Sequence, residues 1–168
     1  MHTRTLVLAG ALAAALLAGA AAGAAAAQAS GHTPGRLTFE VQPTARQFIT
    51  SAGAISGFPT GPLAPGDRII GRDRLLQGGA QVGHDDEVCT VGFARDVLCQ
   101  DIAGFDGRGD VQSSWSFRWP ATGGNGPASF DGIVDGGTGA FGGARGTFHA
   151  QTLPDGDQQI TASIGTGR

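Results

Sequence analysis

The chain has no lysine and no tyrosine, only two cysteines and a single methionine. Its 11 basic residues are all arginine, and 14 acidic residues outnumber them, giving a net charge of −3. No basic surface therefore speaks for nucleic acid or anionic lipid as a partner. Charge of either sign is scarce, at 15% of residues, which excludes a disordered, self-repelling chain. The 30 glycines carry no three-residue repeat, so a collagen-like helix is excluded as well. Helical periodicity is almost absent, and no serine stands in an elbow-like context suited to nucleophilic hydrolysis. What remains is a length of 168 residues, enough for one domain, and a density of glycine that suits turns and bulges between strands.

Residues 1–29 stand apart from the rest. Arg4 is a positive head, Leu6 to Ala22 an uncharged apolar stretch, and Ala27-Gln28-Ala29 a small-x-small cleavage site. The pattern predicts a secretory signal peptide over 1–29, with a retained anchor as the alternative reading. A short flexible lead-in, 30–35, then precedes a single domain, 36–168, working outside the cell with no membrane contact after cleavage. In that oxidising setting Cys89 and Cys99 are read as a disulfide rather than a metal or redox pair. Folding Val88-Cys89-Thr90-Val91 back on Val97-Leu98-Cys99 sets Val91 opposite Val97 and Cys89 opposite Cys99 on one face.

Strand patterning continues along the chain. Leu37, Phe39 and Val41 alternate with Thr38, Glu40 and Gln42, a first strand of period two. A long Gly/Pro loop runs from Phe48 to Pro65. Strands are then predicted over Arg68–Leu76, Ala80–Val91, Val97–Phe105, Val111–Trp119, Ser129–Val134, Gly146–Leu153 and Gln158–Ile164, the last two joined by Pro154-Asp155-Gly156-Asp157. Some eight successive strands with evenly spaced turns point to a closed antiparallel barrel or a sandwich.

Gly137-Thr138-Gly139-Ala140-Phe141-Gly142 spells a dinucleotide fingerprint, but the residues after Gly142 pattern as a hairpin and not as a helix plus strand. The longer string Asp135-Gly136-Gly137-Thr138-Gly139-Ala140-Phe141, with Ala144-Arg145-Gly146, resembles the GGTGxFxxARG stretch of dirigent proteins. It is equally similar to the corresponding segment of allene oxide cyclases. Phe39-Glu40, Gly66-Asp67 and Gly83 ahead of Cys89 align in the same order, so the resemblance spans about residues 36–164. It implies an eight-stranded antiparallel β-barrel, often a homotrimer in plant relatives, whose lumen is plugged by side chains or holds one small apolar molecule. Gly136, Gly137, Gly139 and Gly146 are then structural glycines. The resemblance also implies catalytic roles for Glu40, as a polarising carboxylate, and for Gln42, as its water-positioning partner; the competing reading leaves both facing solvent. Cys89 falls on a cavity-lining cysteine of the plant cyclases, where it is unpaired. The His-Asp pair of the dirigent first strand is replaced here by Phe39-Glu40.

Other candidates come from the residues alone. Trp115, Phe117 and Trp119 share one strand face, either as a substrate-binding wall of the lumen or as an oligomer seam. The hairpin register that pairs the cysteines also places Glu87 opposite Asp101, as a shared-proton acid/base pair or a solvated rim. In His84-Asp85-Asp86-Glu87 successive side chains point to opposite faces, so no compact metal-ligand set results and no metal or cofactor is expected. Arg108-Gly109-Asp110 and the lone His149 are read as structural. The functional expectation is a secreted barrel that binds a small apolar molecule and guides its cyclisation or isomerisation. The alternative is a non-catalytic ligand-binding or structural barrel.

Overall fold

The computed structural model describes residues 35–50, 53–56, 63–119 and 126–166. The signal peptide and all of the lead-in except Gly35 lie outside these residues. The strands are β1 (Gly35–Thr50), β2 (Gly53–Ser56), β3 (Arg68–Gln77), β4 (Ala80–Val91), β5 (Asp96–Phe105), β6 (Gly109–Arg118), β7 (Ser129–Gly137), β8 (Ala144–Thr152) and β9 (Gln158–Thr166). β1 and β3 to β9 pair in sequence order, each antiparallel to the next, and β9 returns to β1 from Gly35↔Ile164 to Val41↔Gln158. This is the expected eight-stranded barrel, and closure removes the open edges a sheet must otherwise protect.

β1 is longer than the alternation of Leu37 to Val41 predicts. Its first half holds β9 on one edge; beyond that, the same edge takes β2, which lies inside the expected long loop. The opposite edge pairs with β3 from Glu40 to Ile49, with a bulge between Pro43 and Ala45. The extra residue reverses the alternation. Phe39 and Val41 are buried before the bulge, and Phe48 after it. A bulge bends its strand and re-aims the side chains beyond it.

The expected hairpin register is present: Cys89 pairs with Cys99, Val91 with Val97 and Glu87 with Asp101. The cysteines form a disulfide with a Cα–Cα separation of 4.0 Å. In the glycine segment, Gly139 has φ +55°, and a Cβ there would come within 2.5 Å of the Arg108 carbonyl oxygen. The facing Gly109, at φ +110°, leaves only 2.4 Å between an added Cβ and the Thr138 oxygen. Only glycine permits that mutual approach, so the segment acts as a structural clasp. Arg108-Gly109-Asp110 belongs to it: Arg108 lies 4.8 Å from the Phe141 ring centroid, and the Thr138 hydroxyl donates to Asp110 at 2.9 Å.

Two apolar clusters line the interior of the barrel. Phe39, Leu75, Phe105, Val134 and Ile160 belong to one; Phe48, Ile69, Val91, Val97, Trp119 and the disulfide belong to the other. On the outer wall the polar pairs are Arg72–Asp86 at 2.7 Å, Arg118–Asp96 at 3.1 Å and His149–Asp131 at 2.8 Å.

Candidate functional site

Between the two apolar clusters runs a polar belt. Taking the inward positions, β3 reads Ile69, Gly71, Asp73, Leu75, and β5 reads Val97, Cys99, Asp101, Ala103. β4 contributes Asp85 and Glu87, β6 Ser113, and the bulged half of β1 Arg46. Neighbouring strands bring these together in register, with Asp73 opposite Asp85, Glu87 opposite Asp101 and Asp101 opposite Ser113. Four carboxylates thus meet a single guanidinium inside the barrel.

Arg46 grips Asp73 in a fork. Nη1 donates to Oδ1, and Nη2 donates to Oδ2 at 2.8 Å, with Asp73 only 1% exposed. The fork needs Gly71, which lies opposite Arg46, because a Cβ at Gly71 would sit 2.3 Å from Nη1. Burial works against the Arg46 charge, but the hydrogen bond to Asp73 and the fields of Glu87, Asp73 and Asp85 outweigh it and raise its pKa. Asp73 is thereby satisfied.

The other three carboxyls form no ion pair among the described residues. Burial pushes Asp101 up to about 7; the Ser113 hydroxyl, which donates to it, pulls the other way, and the charge of Glu87 adds to the rise. Asp85 is raised well above the ordinary carboxylate value by burial and then by the fields of Asp101, Asp73 and Glu87. Its Oδ1 is buried with no hydrogen-bond partner. Glu87 is raised by burial, against the pull of Arg46. Carboxyls this close in an apolar enclosure resist ionising together, so the group keeps protons to higher pH than ordinary carboxylates do and titrates as a unit.

The belt faces open space on both sides. Toward the Phe39 cluster lies a narrow cavity of about 40 Å³, lined by Asp85, Glu87, Asp101 and Ser113 and, across the lumen, by Phe148 and Ile160. Toward the mouth lies a chamber of about 450 Å³, within the range of small-molecule pockets. Glu87, Trp115, Phe130 and Gln158 line both. The chamber walls are aromatic: Trp115 stacks on Phe130 at 5.4 Å, and Phe117 lies 5.9 Å from Trp119. Arg46, the disulfide, Asp155 and Asp157 also border it.

The expected site residues divide accordingly. Trp115, Phe117 and Trp119 face the lumen rather than an outer seam, and Cys89 and Cys99 form part of the chamber wall. Glu87 and Asp101 are opposed, inside the barrel and not at a solvated rim. Glu40 and Gln42 lie elsewhere. They occupy the strand face opposite to buried Phe39 and Val41, border neither lumen cavity, and Gln42 donates instead to Asp157 at 3.2 Å. The apolar residues of this strand take the interior, which leaves the intervening polar ones outside. His84 and Asp86 point outward, away from Asp85 and Glu87, and no metal-binding group occurs among the described residues. Arg145 donates to the carbonyl of its own neighbour Ala144 at 2.6 Å.

Sequence reasoning missed Arg46 and Asp73 and set Asp85 aside. An apolar-flanked acid in Ile69-Ile70-Gly71-Arg72-Asp73-Arg74-Leu75 was the available signal, since Asp73 shares a face with Ile69 and Leu75.

No protein-family model matches the chain, and no curated protein matches it in sequence. Solved structures do match its fold. The chain is similar to a pyocyanin demethylase, at 19% identity and a TM-score of 0.62, over 77% of this chain and 99% of that one. It is similar to the pterocarpan synthase dirigent protein PsPTS1, at 16% identity and a TM-score of 0.56, over 80% and 94% of the two chains. A third similar structure is the Diels Alderase AbmU from Streptomyces koyangensis, at 15% identity and a TM-score of 0.55, over 83% and 75%.

Proposed function

Starting from a barrel fold shared with dirigent proteins and cyclases, we propose that this chain takes a small, largely apolar, unsaturated molecule into its mouth chamber and guides its cyclisation or isomerisation. One observation carries this reading: Glu87, paired across the strands with Asp101 and sharing a narrow cavity with Asp101 and Asp85, also lines an aromatic chamber of ligand size, and so joins a carboxyl group of raised pKa to that chamber. A neutral carboxyl in apolar surroundings donates its proton to a ligand oxygen, as a general acid matched to neutral pH. The carboxylate left behind then takes a proton from the ligand carbon frame, so isomerisation consumes nothing. Trp115, Phe117 and Phe130 set the folding of the ligand, and orientation supplies most of the selectivity. Arg46 holds Asp73 and adds a positive field beside any oxyanion that forms. Glu40 and Gln42 take no part.

The disulfide supports export, in keeping with the signal peptide expected over 1–29. On the outer wall the exposed apolar side chains of Val88, Leu98 and Ile133 border one groove, a surface on which further copies of the chain would pack in the homotrimer that the resemblance implies; sedimentation equilibrium at a single monomer mass refutes it.

The test supplies an unsaturated epoxide whose spontaneous closure gives a racemic cyclopentenone. The protein is expected to skew the enantiomer ratio, and Asp101→Asn to restore the racemate while still retaining ligand in native mass spectrometry. A racemic product with no ligand retained by the unmodified chain refutes the proposal. Ligand retained and released unchanged refutes its catalytic half.

A further inference from the structure

The belt holds four carboxylates against one arginine, and the fork with Arg46 accounts only for Asp73. Asp85, Glu87 and Asp101 have no cation of their own, and Asp85 Oδ1 has no hydrogen-bond partner of any kind. Asp85 is 4% exposed and lines the narrow cavity, so no bulk water solvates that oxygen. Buried polar atoms are nearly always paired, so the unpaired Asp85 Oδ1 leaves the belt short of positive or hydrogen-donating partners. Glu87 lines both cavities and so joins these carboxyls to the floor of the mouth chamber. Above it the chamber presents the rings of Trp115, Phe117 and Phe130. A carboxylate floor under aromatic walls is the chemistry that recognises an organic ammonium ion, by charge below and by cation–π attraction at the sides.

We propose that the ligand class of this chamber is an unsaturated or aromatic molecule bearing one basic nitrogen, bound as the ammonium ion against Glu87. This deepens the reading above and rests on it for the chamber being the ligand site. The two are compatible in charge: one ammonium offsets one of the three unpaired carboxyls, and the pKa of Asp85 and of Asp101 stays raised by burial.

Every charged group around the site enters its pH dependence. β1 contributes Arg46, β3 Asp73, β4 Asp85 and Glu87, β5 Asp101, and Asp135 of β7 acts on Asp101 from outside. The opposing wall from β7 to β9 adds apolar side chains and the neutral Gln158, and the β8–β9 turn adds Asp155 and Asp157 at the border of the chamber. An ammonium ion favours the ionised belt, so its binding expels a proton, and its affinity rises with pH until the belt is ionised.

The test uses a matched pair of probes with the full barrel: (naphthalen-1-ylmethyl)trimethylammonium and its neutral carbon isostere, 1-neopentylnaphthalene. Quenching of the two tryptophans reports binding. The cation is expected to bind about 10-fold or more tightly than the isostere near pH 8.5, and to lose most of that preference near pH 5. Glu87→Gln is expected to remove the preference while leaving the isostere's affinity unchanged, which also shows that the variant is folded. Equal affinities for the two probes at the higher pH overturn this inference and leave the apolar chamber standing. Binding of neither probe overturns the chamber as a ligand site. A cation preference that survives Glu87→Gln overturns the assignment to Glu87.

Discussion

Asp101→Asn is expected to make the protein more stable at high pH than at low pH relative to the unmodified chain. In the native barrel Asp101 is pushed up to about 7, against an ordinary value of 3.8. Below the ordinary value both the folded and the unfolded chain keep the proton, and the residue has no pH-dependent effect. As pH rises from there to about 7, the unfolded chain releases a proton that the folded chain retains. Stability therefore falls as pH rises, by about 1.4 kcal/mol per pH unit, and the loss is complete just above the folded value. From 3.8 to about 7 the total is roughly 4 kcal/mol, a large share of the ~5–15 kcal/mol that holds a domain together. Asparagine keeps an oxygen for the Ser113 hydroxyl and cannot ionise, so the variant escapes this loss. It also removes one of the fields acting on Asp85, which relieves the folded state further in the same direction. Urea midpoints of both proteins, monitored by tryptophan fluorescence, check the reasoning. Between about pH 4.5 and pH 8 the difference is expected to move in favour of the variant by about 3 kcal/mol at unchanged m. Two curves that stay parallel across this range refute a proton-holding belt.

Two further outcomes concern the scaffold of the site. Arg46→Met leaves Asp73 buried and uncompensated and is expected to cost about 3–5 kcal/mol; adding Asp73→Leu is expected to recover most of it. A double variant as unstable as the single one in chemical denaturation shows that the pair is not the cause. Replacing Cys89 and Cys99 with serine is expected to cost about 2–3 kcal/mol for a loop this short, read as a lower urea midpoint for the variant than for the unreduced native chain. An unchanged midpoint means that the hairpin persists in the unfolded chain and that the cross-link adds nothing.

Much of the barrel is legible in the residues, because strand pairing is a local problem once the turns are placed. Pro154-Asp155-Gly156-Asp157 marks one hairpin, and matching Val91 to Val97 fixes the register of another through Cys89–Cys99 to Glu87–Asp101. The site is legible only in part. The resemblance points to Glu40, but the other of the two glutamates, Glu87, is the one that lines the lumen. Arg46 was hidden by the bulge at Pro43, since a period-two extrapolation from Phe39 and Val41 carries Arg46 to the outside.

The sequence by itself determined which side chains share a face within a regular strand, the register of the cysteine hairpin, and a structural role for the glycine segment. These come from the two-residue period of a strand and from the φ angles that only glycine tolerates. Only the tertiary structure decided which face is the lumen and how deep Glu87 and Asp101 lie within it. It also decided that Arg46, Asp73 and Asp85, from three different strands, join them. Alternation fixes faces relative to one another and not to water. Water is excluded from one of them only when β9 reaches β1 and the sheet closes, and that exclusion is what raises the pKa of a row of ordinary carboxylates.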